Sequence, residues 1–224
     1  KLLSAFAIVT LFTLVLGAVA LYNQEVLMKN QDTLYVDRLV PIRDLGYANV
    51  IILKVLQQSD LVFIERNSQK KESRIAEIKD EIALVDSLID AYGKTYLVPD
   101  EEKNLAIFRP IWNDARAAEL NVLELAQQGK IADATRVFET QFAKNADSAA
   151  STLHELIHIN EVVAEEIDHD NDATARAGLV IVIVLLVVSA IVSTLLGIVI
   201  SRRISRTLKD MVDVADRISV GEVN

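Results

Sequence analysis

The sequence predicts an all-α protein, an antiparallel four-helix bundle flanked by two transmembrane helices and followed by one more amphipathic helix. Three observations lead there. The 224 residues are 51% hydrophobic with only 7 Gly and 3 Pro, a composition of long helices and few turns. Two uncharged apolar runs stand near the ends of the chain. Between them, apolar residues recur in steps of three and four, the spacing of helices buried along one stripe.

The first run is residues 2 to 21 (LLSAFAIVTLFTLVLGAVAL), which makes 1–21 the first transmembrane helix. A cleaved signal peptide is the competing reading. The apolar stretch is long for one, no clear cleavage site closes it, and the helical pattern continues past Tyr22. Residues 22–176 are predicted to be an extracytoplasmic four-helix bundle. The first stripe is Ile42, Leu45, Asn49, Ile52, Leu56 and Phe63, with Ser59 in the remaining slot. The second is Ile75, Ile78, Ile82, Val85, Ile89, Tyr92 and Tyr96. Leu105, Phe108, Trp112, Ala115, Val122 and Ala126 form the third, and Leu153, Leu156, Asn160, Val163 and Ile167 the fourth. The breaks fall between the stripes: RNSQKKES (66 to 73) with Ser73 as an N-cap, LVPDEEK with Pro99 and three acids at a helix start, and Gly129 ending the third helix. The outer stretches, 22 to 67 and 131 to 176, would each reach about 69 Å as helix, the inner pair only about 40 Å. The outer helices therefore continue beyond the inner pair.

Residues 177–200 (AGLVIVIVLLVVSAIVSTLLGIVI) are the second predicted transmembrane helix, bounded by Arg176 and by Arg202 with Arg203. Segment 202 to 209 holds Arg202, Arg203, Arg206 and Lys209 with no acid, as a cytoplasmic flank does. Residues 23 to 175 carry 16 Lys and Arg against 28 Asp and Glu, a net of −12, and so belong outside. The overall charge of −9 speaks against nucleic acid as a partner. With no cysteine, disulfides and thiolate metal sites are excluded. No nucleophile–base pair, glycine-rich phosphate loop or paired catalytic carboxylates occur, so the expectation is a non-enzyme without cofactors.

On these residues the chain resembles the methyl-accepting chemotaxis receptors. YVDRLVPIRDLGYAN (35 to 49) resembles their first sensor helix. LELAQQGKIADATRVF and LHELIHINEVVAEE resemble the turn into the fourth helix and that helix itself. Residues 201–224 resemble the first half of a HAMP linker, the parallel four-helix relay below such spans. Ile204, Leu208, Met211, Ala215 and Ile218 would be its buried stripe, and Gly221-Glu222-Val223 its step into the connector. Thr207 stands where that linker usually has proline. An orphaned last helix then implies a partner helix and an output domain beyond Asn224, and Lys1 in place of methionine implies a trimmed start.

The resemblance implies a receptor in the bacterial inner membrane with a periplasmic or extracellular sensor, working as a homodimer. Its ligand would be a small molecule or a periplasmic binding protein. Its output would reach a chemotaxis histidine kinase through a coupling protein. A histidine kinase or cyclic-dinucleotide synthase carrying the same input module is the nearest alternative, and a ligand-independent membrane-anchored scaffold is a different one.

Candidate ligand-binding residues are Arg43, Tyr47, Asn49 and Lys54. Arg38 and Arg43 resemble two arginines of the amino-acid-sensing members, with Tyr47 where a third would stand; Arg43 is preferred as a fork for a carboxylate, and Lys54 is its rival. Asn49 and Asn160 occupy heptad slots, where a buried Asn fixes register or contacts a ligand. Arg202 and Arg203 are the expected membrane anchor, with Leu208, Gly221 and Glu222 in the relay. His154 and His158, with Glu161, have a spacing that can chelate zinc, but they face away from the stripe, which favours a solvated surface. Phe108 and Trp112 read as core, and Pro110 between them should bend the third helix.

Overall fold

The computed structural model describes residues 2–219, with the side chains of residues 6–213. No strand occurs among the described residues. The elements are α1 (Leu2–Leu34), a π-helical turn (Tyr35–Leu39), α2 (Val40–Ile64), α3 (Ser68–Tyr92), α4 (Pro99–Gln127), α5 (Ile131–Val137), a second π-helical turn (Phe138–Phe142) and α6 (Ala143–Ser219). Two compact units divide the chain, Asn30–His169 and the residues on either side of it.

Asn30–His169 is an all-α four-helix bundle. Its core runs from Leu45 and Ile52 on α2 through Ile78 and Val85 on α3 and Phe108 and Val122 on α4 to Phe142, Leu153 and Leu156. Short connections enforce antiparallel neighbours, and contacts at the two ends bear this out. Arg38, Tyr92, Glu101 and Asn160 meet at one end, while Phe63 stands edge-on to Phe138, centroids 5.6 Å apart, at the other.

Each helix end has a local cause. Asn67, not Ser73, caps α3, its side-chain oxygen accepting from the Lys70 N–H at 3.0 Å. Asn67 is in extended conformation and free to turn its carbonyl to the helix, whereas Ser73 is already one turn inside. Pro99 opens α4, and the carboxylate of Glu101 reaches back to the N–H of Val98 at 2.8 Å. Gly129 takes φ 76° after α4, a conformation that needs no Cβ, and lets Lys130 donate to Leu125. Pro110 sits inside α4 without ending it.

The π-helical turn before α2 also follows from sequence. Pro41 has no N–H to give to Asp37 and its ring crowds that carbonyl, so the ladder widens locally. Val40 donates to Tyr35, five residues back.

Three details of the predicted stripes change. The α2 stripe is rotated: Leu45, Ile52 and Ser59 are buried as expected, but Ala48, Val55 and Val62 are buried in place of Asn49, Leu56 and Phe63, which are half-buried. Apolar residues lie almost all round α2, so spacing alone does not pick the inner face. Tyr96 is 69% exposed, because α3 ends at Tyr92 and the chain turns there. On α6 the stripe is fully buried through Asn160 and only half-buried at Val163 and Ile167.

In the other unit, α1 and the second half of α6 run antiparallel. Phe6 and Val9 share an apolar groove with Leu196, Gly197 and Ile200, while Asn23 lies against Gly178. A Cβ on Gly178 would collide with the Asn23 side chain. Two continuous helical stretches, Phe6–Ile64 and Ile131–Asp213, contain windows long and apolar enough to cross a membrane.

Candidate functional site: a buried polar hub and the outer face of α2

The most strongly tied residues of the bundle are polar. Arg38 lies in the π-helical turn and is 1% exposed. Its Nη1 donates to Glu101 Oε2 at 2.7 Å and to Asn160 Oδ1 at 3.3 Å, and its Nη2 to the Tyr96 carbonyl at 3.1 Å. The Tyr92 hydroxyl donates to Glu101 Oε1 at 2.7 Å and accepts from Asn160 Nδ2 at 3.2 Å. Asn160 also donates to the Leu156 carbonyl at 2.9 Å, which fixes its amide.

Electrostatics explains why this hub is closed. A buried guanidinium or carboxylate alone costs several kcal/mol, and opposite charges with further hydrogen bonds offset it. Glu101 receives three donors, from Arg38, Tyr92 and Val98. Burial and the adjacent Glu101 carboxylate push the Tyr92 hydroxyl far above its ordinary range. Arg38 Nε is buried with no partner. The loop from 93 to 98 is drawn in as well, the Tyr96 N–H donating to Asp37 at 3.1 Å. The hub therefore joins the π turn, the end of α3, the start of α4 and α6. α6 is the helix that continues toward the second apolar run.

The predicted ligand residues lie elsewhere. Arg43 is exposed and pairs with Asp44, its sequence neighbour, at 2.8 Å. Tyr47, one turn on, is 52% exposed. Leu39 at the end of the π-helical turn and Val50, Leu53, Leu61 and Ile64 on α2 continue an outward apolar row. Lys54 is on this side too, but its ammonium is held by Glu81 and by Glu77 at 2.9 Å. The hydrogen bonds it donates to Glu81 and then to Glu77 raise its pKa further. Its charge is thus taken up within the bundle. Asn49 is half-buried beside this row, its Oδ1 buried with no partner. The four candidates do not converge on one pocket.

The remaining expectations are placed as follows. His154 and His158 are exposed, and His158 Nδ1 stands 3.9 Å from Glu161 Oε2. No group of three or more potential metal ligands comes together among the described residues. Trp112 is 3% exposed, stacked on Phe108 with centroids 6.5 Å apart, and donates to Asp86 at 2.7 Å. Beside it Asp86, Asp90, Arg109 and Arg116 line a groove of about 200 Å³, closed by the pairs Arg109–Asp90 at 3.0 Å and Arg116–Asp86 at 2.7 Å. Arg202, Arg203 and Leu208 are exposed on α6. Gly221 and Glu222 lie outside the described residues, as do the side chains of Ala215 and Ile218.

Sequence reasoning missed Glu101 and Tyr92 as hub members. Glu101 was legible as a helix-start acid and Tyr92 as a core position; their union with Arg38 depends on the π turn. The missed signal was the arginine itself, one turn ahead of a proline.

Comparison with known proteins adds a frame. Residues 1–175 match the family model described as a four helix bundle sensory module for signal transduction. A protein of Acetivibrio thermocellus, described as a candidate sensory transducer, is 22% identical over 157 residues. The match covers 70% of this chain and 28% of that relative, so this chain spans well under two thirds of the relative's length.

Proposed function

Because this chain belongs to the family of four-helix-bundle sensory modules of signal transduction, we propose that it is the input half of a transmembrane chemoreceptor. In this reading residues 1–21 and 177–200 are membrane spans, residues 22–176 form the extracytoplasmic sensor, and residues 201–224 open a HAMP linker. The sensor lies outside the bacterial inner membrane and pairs with a second copy. A small molecule or a periplasmic binding protein engages the paired bundle. The signal leaves along α6 and the linker toward a chemotaxis kinase and its coupling protein.

The outer face of α2 carries this proposal. A helix whose inner face is already satisfied by the core still presents Leu39, Arg43, Tyr47, Val50 and Leu53 to solvent. Such a row on a soluble face is ordinarily buried by a partner, and a second copy offers the same row to itself about a two-fold axis. Arg43, with no partner beyond Asp44, would then lie at the seam, where a bidentate guanidinium suits a ligand carboxylate. Tyr47 adjoins it.

The linker reading rests on a similar argument. Ile204, Leu208 and Met211 are exposed along one side of α6, as expected of a helix whose bundle partners lie in other segments. Arg202 and Arg203 would hold the end of the second span at headgroup level, since burying either charge is costly and reaching the interface is not. The same module feeding a histidine kinase or a cyclic-dinucleotide synthase is equally compatible with these residues.

Single cysteines from Leu34 to Leu56 test the pairing, in a chain with no cysteine of its own. Crosslinking between copies should peak at positions 39, 43, 47, 50 and 54 and vanish at 45, 48, 52 and 55. A flat profile would argue for a sensor that works alone. Arg43→Gln should weaken binding of a carboxylate ligand at least tenfold while leaving that pattern intact, measured by the ligand's shift of the melting temperature.

A further inference from the structure

A second buried carboxylate lies deep in the bundle. Glu119 is 18 residues beyond Glu101 on α4, five full turns and about 27 Å along the same face. It fills the gap in the α4 stripe between Ala115 and Val122 and is 0% exposed. Unlike Glu101 it has no cation. Its Oε1 lies 2.5 Å from Ser59 Oγ on α2, and its Oε2 is buried with no partner.

We propose that Glu119 and Ser59 form a proton-binding site in the bundle core, through which the bundle responds to the alkalinity of its medium. The hydrogen-bond geometry carries this. Ser59 Oγ is within bonding distance of two acceptors, Glu119 Oε1 at 2.5 Å and the Val55 carbonyl at 2.9 Å, yet a hydroxyl has one hydrogen. Both contacts are satisfied at once when Glu119 holds a proton and donates it to Ser59, leaving Ser59 to donate to Val55. A short contact would also suit a charged acceptor. A carboxylate with its other oxygen bare in an apolar core is far less tolerable.

The surroundings agree. The core positions Ile75, Ile78 and Ile82 of α3, Phe142 of the second π-helical turn, and Ala146 and Ala149 of α6 are uncharged, and the buried Glu81 of α3 is held by Lys54. Asp60, exposed beside Ser59 on α2, bears on Glu119 with a like charge. Three cations of this part of the bundle are engaged elsewhere, Arg74 with Gln58 at 2.7 Å, Lys54 with Glu77 and Glu81, and Arg116 with Asp86, and Lys144 lines a surface groove with Ala118 and Asn121. Burial, opposed by the Ser59 hydrogen bond and reinforced by Asp60, pushes the Glu119 carboxyl up to about 8.

The sign follows from linkage. A folded-state pKa above the unfolded value of 4.5 means that the folded form holds the proton more tightly. The stabilisation is complete below about pH 4.5, is lost as pH rises toward about 8, and is absent above it. Loss of the proton from Glu119 to solvent places a charge between α2 and α4 and loosens them. Its use as an input rests on the sensory reading above, whereas the site itself does not, so the two can fail separately.

The test compares the full 224-residue chain with Glu119→Gln, in the same detergent, by Tm from pH 5 to 9. The charges common to both proteins cancel in the difference. Expected is a wild-type Tm that falls relative to the variant between pH 5 and 8 and a constant offset above. The same offset at pH 5 and pH 9 would overturn the proposal. Ser59→Ala keeps Glu119 and removes the hydroxyl that turns to donate to the carboxylate once it is ionised, so the midpoint of the fall should move to higher pH. An unmoved midpoint would also overturn it, whether or not the glutamine variant folds.

Discussion

Replacing Arg38 by methionine should destabilise the bundle by about 3–5 kcal/mol, the cost of leaving a buried charge without its partner. Methionine fills much of the same space, so the loss reports charge rather than a cavity. Glu101 keeps its bonds from Tyr92 and Val98, but its carboxylate then has no cation at 0% exposure. At roughly 3 °C per kcal/mol for a unit of this size, Tm should fall on the order of 10 °C. The chain's single tryptophan, Trp112, is buried against Phe108 and gives the fluorescence signal. Adding Glu101→Gln to the methionine variant should recover part of the loss. If the double variant is no more stable than Arg38→Met alone, the pair is not energetically coupled and the hub is only a set of neighbours.

The second large effect is expected at the far end. Phe142 is 0% exposed, 5.7 Å from Phe138, which in turn meets Phe63 on α2. Phe142→Ala should cost about 3–5 kcal/mol, since ring transfer is lost and a turn fixed by both neighbouring helices cannot collapse into the void. Phe142→Leu should cost distinctly less. Urea denaturation followed at Trp112 measures both. Equal losses would mean that the site relaxes freely around any smaller residue.

Much of this architecture was legible in advance. The α3 and α4 stripes are buried from Ile75 to Tyr92 and from Leu105 to Ala126, because their outer faces are polar enough that only one orientation hides the apolar residues. α2 was harder. With apolar side chains on two faces, the sequence showed a helix but not which face was the core, and the misplacement of Asn49 followed. The candidate site was the least legible part. Arg43 and Tyr47 do share the outer face, but Lys54 is taken up by Glu77 and Glu81, acids on the next helix that spacing within α2 cannot reveal. Arg38 was set behind Arg43. Its burial depends on three residues 58 to 122 positions away in sequence, which no local pattern encodes. Glu119 left a trace, a charged residue in an otherwise apolar heptad slot, as did Ser59 facing it.

The π-helical turn at Phe138–Phe142 has a consequence for how relatives should be aligned. Ala143 donates to Phe138, five residues back, so this turn holds one residue more than an α-helical turn would. A relative with an ordinary turn here would lack one residue in mid-helix, and the correct alignment would open a gap inside an unbroken helix. Forced to stay gapless, every later position would be compared one step out of phase, about 100° around the axis. Ala146, Ala149, Leu153, Leu156 and Asn160 would then be matched with residues that face solvent, and a shared core would read as divergence.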